Sequence, residues 1–262
     1  MSLHSLRSLP KDLKTDSVAL PLEMEGGEEA VLVIHGYTGI PDELRYFARR
    51  LYEAGYTVAV PRLPGHGTHG TDFLSSNAQD WYRKVVDTYS DLAAKHSTIH
   101  WAGLSMGALL AILGASQFSA RKIALAAPAL EVFDHRLYLT PFLRYLVKRI
   151  ERKDFSFDGP LEYAHVAETY WKYDWPAQAA ELLKLQRLAR KELARLTADV
   201  MVIISEKDDT VPLTVLERVQ KQASICNVTS LVLKESGHVV LNDMEKERVA
   251  EEVIAWLKTP TP

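Results

Sequence analysis

Three features of the sequence predict an α/β class fold: a mostly parallel sheet flanked by helices, interrupted by a helical insertion. Short apolar runs rich in β-branched residues alternate with segments of helical period. Two of those runs end in glycine-rich turns that lead straight into helices. The length of 262 residues, 47% of them apolar, suits one large domain with a full core.

Met1 to Glu25 mixes Arg7, Lys11, Asp12, Lys14 and Asp16 with scattered leucines, so it lacks the uninterrupted apolar stretch of a signal peptide. No segment reaches the roughly 20 apolar residues of a membrane span. Residues 30 to 35, Ala-Val-Leu-Val-Ile-His, read as a central strand covered on both faces, broken by Gly36. A helix follows from Pro41, with Leu44, Phe47, Ala48 and Leu51 on one face and Gly55 placed to end it. Residues 56 to 60 form the next strand, stopped by Pro61. Residues 78 to 95 put Trp81, Val85, Val86, Tyr89 and Leu92 on one helical stripe. Strands at 99 to 102, 123 to 127, 201 to 205 and 230 to 233 complete a set of six. Such alternation implies right-handed crossovers, with reactive loops at the carboxyl ends of the strands.

One region breaks the pattern. Residues 135 to 195 show helical periodicity and no strand-like run, with Thr140-Pro141 as cap and first residue for Phe142, Leu143, Leu146, Val147 and Ile150. A second helix runs from Pro176 through Leu182, Leu185, Ala189 and Leu196. The expected organisation is therefore a core of 1–134 and 196–262 with a helical insertion, 135–195, folded over the edge of the sheet. The insertion holds twelve Lys and Arg against eight Asp and Glu, a balance of +4. Solvated outer helix faces account for that balance, and an anionic lipid or acyl substrate is the alternative. Packing is likewise the expected role of its aromatics Tyr163, Tyr170, Trp171, Tyr173 and Trp175, with an acyl pocket as the alternative.

Net charge of −3 supplies no general attraction to nucleic acid. The single cysteine, Cys226, excludes an internal disulfide framework and points to a reducing, cytoplasmic setting.

The chemistry centres on Trp101-Ala102-Gly103-Leu104-Ser105-Met106-Gly107, a Gly-x-Ser-x-Gly between an apolar strand and an alanine- and leucine-rich helix. That geometry lifts a serine hydroxyl clear of the sheet and aims a helix N-terminus at developing negative charge. Asp208 and Asp209 both follow the strand at 201 to 205, where an acid orients a histidine; chemistry alone does not separate them. His238 stands behind Gly237 in the loop after the last strand, within reach of a strand-end serine. In His35-Gly36-Tyr37-Thr38-Gly39 the glycines let the backbone turn inward, so the Tyr37 N–H joins that of Met106 as two donors for an oxyanion. The Met106 thioether is expected to help line the acyl pocket. His66 and His69 invite a metal reading, but no Asp, Glu or Cys stands at ligand spacing in the same turn, so no metal and no cofactor is expected.

His35-Gly-Tyr-Thr-Gly, the Pro61-Arg-Leu-Pro-Gly-His-Gly-Thr-His stretch, Gly103-Leu-Ser-Met-Gly, Asp208-x-x-Val-Pro and Glu235-Ser-Gly-His238 together resemble bacterial carboxylesterases and monoacylglycerol lipases of the α/β-hydrolase fold. The likeness runs from residue 30 to 258 and is loosest in the insertion, which corresponds to that family's small helical cap. It implies Ser105 as nucleophile, His238 as general base and acid, Asp208 rather than Asp209 as the acid, and the Tyr37 and Met106 amides as oxyanion hole. It further implies hydrolysis of short- to medium-chain acyl esters or monoacylglycerols through an acyl-enzyme. Ala108 departs from the pattern, since these relatives often carry a third glycine there. Rival uses of the same triad are transfer to a non-water acceptor, perhydrolysis and peptide cleavage. A ligand-binding protein on a hydrolase scaffold is the rival of another class. Haloalkane dehalogenation needs a carboxylate where Ser105 stands.

Overall fold

The computed structural model describes residues 13–153 and 167–260. Its main sheet has seven strands: β1 (Leu22–Met24), β2 (Glu29–Ile34), β3 (Thr57–Val60), β4 (Thr98–Leu104), β5 (Lys122–Ala126), β8 (Asp199–Ser205) and β9 (Val228–Leu233). Their order is β1-β3-β2-β4-β5-β8-β9. All neighbours are parallel except β1, which runs antiparallel to β3 at the edge. The six strands expected from the sequence are present. Sequence reading missed β1, because three residues of Leu-Glu-Met give too short an alternation to register.

Alternate strand residues face opposite layers. Val31 and Val33 pack with α1 (Arg45–Glu53) and α8 (Lys246–Leu257) in one core, through Phe47, Leu51, Val249 and Val253. Leu32 and Ile34 face the other core, built with α3 (Ala78–Ala93), α4 (Met106–Ala115), α6 (Pro176–Glu192) and α7 (Thr214–Gln222). Every residue of α4 is buried, which explains why Met-Gly-Ala-Leu-Leu-Ala-Ile-Leu-Gly-Ala carries no polar stripe. Asn77 caps α3 by accepting from the Gln79 and Asp80 amides while Asp80 reaches back to the Asn77 N–H.

The stretch 135–195 differs from its sequence reading in three ways. Helix α6 stacks on α3 and α4, in the helix layer on one face of the sheet, because Leu182, Leu183, Leu185 and Ala189 complete the larger core. Its buried polar residues tie down neighbouring loops: Gln186 donates to the Ala129 carbonyl at 2.9 Å and Gln178 to that of Ser76 at 3.2 Å. Helix α5 spans only Thr140–Leu143, Leu139 holds the cap position, and Phe142 and Leu146 are 74% and 80% exposed. One short turn has no core to bury that stripe against. A two-stranded antiparallel pair, β6 (Ile150–Glu151) and β7 (Tyr173–Asp174), also stands where no strand was expected. Tyr163 lies outside the described residues. Among those residues no helix is long and apolar enough to cross a membrane.

The loop after β3 is knitted to the end of β2 by histidines. His35 is fully buried; its Nε2 accepts the Leu63 N–H at 3.1 Å and its Nδ1–H donates to the Gly36 carbonyl at 3.1 Å. His66 packs edge-on at 5.0 Å, and its Nδ1 stands 3.2 Å from the Pro64 carbonyl. His69 is not beside it as a co-ligand: its ring accepts from Thr71 N–H and caps α2 (Gly70–Ser75). Burial, the dominant cause, pulls His35 from 6.5 down to about 4 and puts His66 well below its ordinary value.

Both rings are thus held neutral, with folded values below the unfolded ones. The stabilisation from His35 is complete above pH 6.5 and drains as pH falls through its folded value near 4. The expected loss attributable to His35 by pH 4 is about 3 kcal/mol. Urea unfolding across pH 7 to 4 should show it, and His35→Gln should flatten the acid limb of the profile.

Candidate active site

Ser105 sits at the junction of β4 and α4 with φ 55°, a region that L side chains avoid at a cost of roughly 1–3 kcal/mol. Its N–H donates to the Ala126 carbonyl at 2.8 Å, and its own carbonyl accepts from Ala129 N–H at 3.3 Å. The turn requires glycine on both sides. A Cβ on Gly103 would lie 2.3 Å from the Gly107 backbone, and one on Gly107 would lie 2.0 Å from the Ile34 carbonyl oxygen. Met106 opens α4, so its N–H belongs to the first turn, where no intrahelical acceptor exists. Its thioether is 0% exposed within the larger core, so it does not line an open pocket as expected.

The carboxyl ends of β8 and β9 bring the other two side chains to this serine. His238 Nε2 lies 2.9 Å from Ser105 Oγ, and His238 Nδ1 lies 2.9 and 3.1 Å from the two oxygens of Asp208. Asp208 Oδ1 also accepts the Thr210 and Val211 amides at 2.8 and 2.9 Å. Burial pushes its carboxyl upward, but the hydrogen bond and charge of His238, with those two amides, outweigh burial and leave it below the ordinary carboxylate value. An ionised carboxylate there fixes the tautomer with hydrogen on Nδ1, leaving Nε2 free to accept from the hydroxyl. Asp209 points elsewhere, accepting the Thr210 hydroxyl at 3.0 Å on the exposed side of the loop.

Residues that sequence reading missed hold the histidine loop. Glu245 Oε2 accepts the successive amides of Lys234, Glu235 and Ser236 at 3.0, 2.9 and 3.2 Å. Asp243 Oδ2 accepts the Gly237 N–H at 2.6 Å, and the buried Ser205 hydroxyl donates to the Ser236 carbonyl. The only trace in the sequence is the pair of acids five and seven residues beyond His238, which reads as the start of a charged helix.

The turn after β2 approaches from the other side. A Cβ on Gly36 would sit 3.4 Å from Ser105 Cβ, so the backbone that carries the Tyr37 N–H passes directly by the hydroxyl-bearing residue. Gly39 N–H closes the turn onto the Gly36 carbonyl at 3.1 Å. The Tyr37 side chain leaves the site: its hydroxyl donates to the Trp175 carbonyl at 3.2 Å, and burial raises its pKa.

A cleft of about 760 Å³ adjoins the acid loop, walled by Val132, Asp134, Arg136, Arg152, Asp174 and Asp209 among others. Ser105 and His238 do not line it, and its charged walls suit water better than an acyl chain. Trp175 is buried, with Trp171 and Tyr173 packed against the larger core, so these three pack more than they line, whereas Phe142 and Tyr145 are exposed. Among the described residues, no group of three or more His, Cys, Asp or Glu is gathered as a metal site. Chemically, the serine, imidazole and carboxylate in one hydrogen-bonded line are competent for nucleophilic attack with internal proton transfer.

A family model described as the alpha/beta hydrolase family matches residues 31–252. The chain is 29% identical to a thermostable monoacylglycerol lipase of Bacillus sp. (strain H-257), over 90% of this chain and 92% of that one. It is 25% identical to a carboxylesterase of Bacillus subtilis (strain 168), over 91% and 96%. A solved structure described among two metagenome-derived lipolytic enzymes superposes with a TM-score of 0.84 at 28% identity, covering 94% of this chain and 99% of that one.

The two neighbouring aspartates are separable by experiment. The rate of Ser105 labelling by a fluorophosphonate probe should fall about 10³-fold or more in Asp208→Asn, where the wrong tautomer is favoured. In Asp209→Asn it should stay within about twofold. A crippled Asp209→Asn with a mild Asp208→Asn would reverse the assignment.

Proposed function

The chain belongs to the alpha/beta hydrolase family, and on that premise we propose that it is a serine esterase, cleaving short- to medium-chain acyl esters or monoacylglycerols through an acyl-enzyme. The observation that carries this reading is the continuous line Ser105–His238–Asp208 at the N-terminus of α4. The relatives named monoacylglycerol lipase and carboxylesterase support the same reaction class.

His238 Nε2 takes the hydroxyl proton as Ser105 Oγ attacks the acyl carbon, and Asp208 balances the imidazolium that forms. The negative oxygen of the tetrahedral intermediate is received by the Met106 and Tyr37 amides, the former reinforced by the helix N-terminus. Collapse expels the alcohol, which leaves with the proton from His238. Water then repeats the sequence on the acyl-enzyme, releasing the acid and restoring Ser105. Every proton has an acceptor among these residues.

We assign the inserted stretch 135–195 as the cap. Its contacts support this: Trp171 Nε1–H donates to the Thr38 carbonyl at 2.8 Å, and the Tyr37 hydroxyl donates to the Trp175 carbonyl at 3.2 Å. Acyl length and alcohol are selected there. A reducing cytoplasm fits the lone thiol of Cys226, which is spent on the Leu196 carbonyl at 2.7 Å.

Ser105→Ala should lower turnover of a short-chain p-nitrophenyl ester by at least ~10⁴-fold. An acyl series that includes monoglycerides, assayed on the wild type, should place the best kcat/KM at short to medium chains. Retained turnover in Ser105→Ala would overturn the mechanism.

A further inference from the structure

We propose that Trp171, in the inserted segment, is a positioning residue for the oxyanion amide of Tyr37, so that this segment governs the chemical step as well as substrate choice. The inference rests on the esterase reading above and extends it to residues outside the triad.

The Gly36–Gly39 turn is not self-sufficient. Thr38, at its centre, is β-branched yet holds φ 56°, where such residues are true outliers and persist only under outside restraint. Within the turn, the Thr38 hydroxyl donates to the Tyr37 carbonyl at 2.7 Å and Gly39 N–H to that of Gly36 at 3.1 Å. Among the described residues, the hydrogen bonds that hold Tyr37 and Thr38 from outside the turn come from the insertion. Trp171 Nε1–H donates to the Thr38 carbonyl at 2.8 Å, and the Tyr37 hydroxyl donates to the Trp175 carbonyl at 3.2 Å. Two consecutive residues of the turn are thereby held by two residues of the insertion, four apart.

That mount is itself rigid. Trp171 and Trp175 flank β7, which pairs with β6, and Arg152 N–H adds a bond to the Lys172 carbonyl at 3.0 Å. Trp175 is 2% exposed and packs edge-on to Phe73 at 6.0 Å, while Tyr37 lies 5.7 Å from the same Phe73 ring. With the indole bond gone, Thr38 is free to relax toward negative φ, carrying with it the peptide that bears the Tyr37 N–H. A donor displaced by about 1 Å from the oxyanion loses up to about 10²-fold in rate. A tryptophan that merely walled an acyl pocket would instead act on KM, and more strongly for longer chains.

The test uses Trp171→Phe in the full chain, assayed on p-nitrophenyl acetate and a medium-chain p-nitrophenyl ester, with Ki for a trifluoromethyl ketone whose serine adduct carries the oxyanion. We expect kcat to fall about 10- to 100-fold on both esters, KM to stay within about twofold, and Ki to weaken by the same factor as kcat. Tyr37→Phe, which removes only a hydroxyl, should show the same pattern at smaller size, and it decides the matter alone if Trp171→Phe does not fold. Values of kcat and Ki within twofold of wild type in these variants overturn the proposal, as does a KM effect that grows with acyl length at unchanged kcat. Wild-type turnover that is lost in Ser105→Ala would leave the esterase reading intact in either case.

Discussion

The structure depends on how closely α4 approaches β2 and β4. A Cβ on Gly107 would land 2.0 Å from Ile34 O and one on Gly103 would land 2.3 Å from the Gly107 backbone, so the helix starts directly behind the strand. Ser105 is left at the crest of that junction in a left-handed conformation. The fully apolar sequence of α4 follows from the same constraint: a helix pressed onto the centre of a sheet, and covered in turn by α3 and α6, has no face for polar side chains. Ala108, the one departure noted from the family's pattern, is accommodated within that core at 0% exposure.

Around this fixed point the parallel sheet does the assembling. Because β2, β4, β8 and β9 all point the same way, their carboxyl ends deliver the Tyr37 turn, Ser105, Asp208 and His238 to one edge. Electrostatics then narrows the arrangement. Asp208 is kept ionised by His238 and two amides in spite of burial, whereas Asp209, one residue on, spends its oxygen on Thr210. A second layer of carboxylates, Asp243 and Glu245, secures the histidine loop through backbone amides, so the imidazole is aimed by the chain that carries it.

Much of this was legible in the sequence, for identifiable reasons. The six parallel strands show as short, mostly apolar runs, and the Ser, Asp and His stand in turns whose glycines and prolines mark them. Residue chemistry alone does not separate Asp208 from Asp209; the resemblance points to Asp208, and it is Asp208 whose carboxylate faces His238. The insertion was the least readable part. Leu182, Leu185 and Ala189 have the period of any amphipathic helix, and period does not say whether a helix covers a face or an edge. Phe142 and Leu146 have it too, yet remain exposed because α5 ends after one turn. The bonds from Trp171 and Tyr37 bridge more than a hundred positions, beyond any local pattern.

A serine esterase must carry a covalent acyl group on Ser105 during turnover. Mass spectrometry of the peptides after a rapid acid quench, within the first turnover of a short-chain p-nitrophenyl ester, tests it directly. The expected result is a single acyl group, of the mass of the substrate's acid portion, on the peptide that contains Ser105. Release of nitrophenol with the acyl group on another residue, or with no adduct at any time in the first turnover, would contradict it.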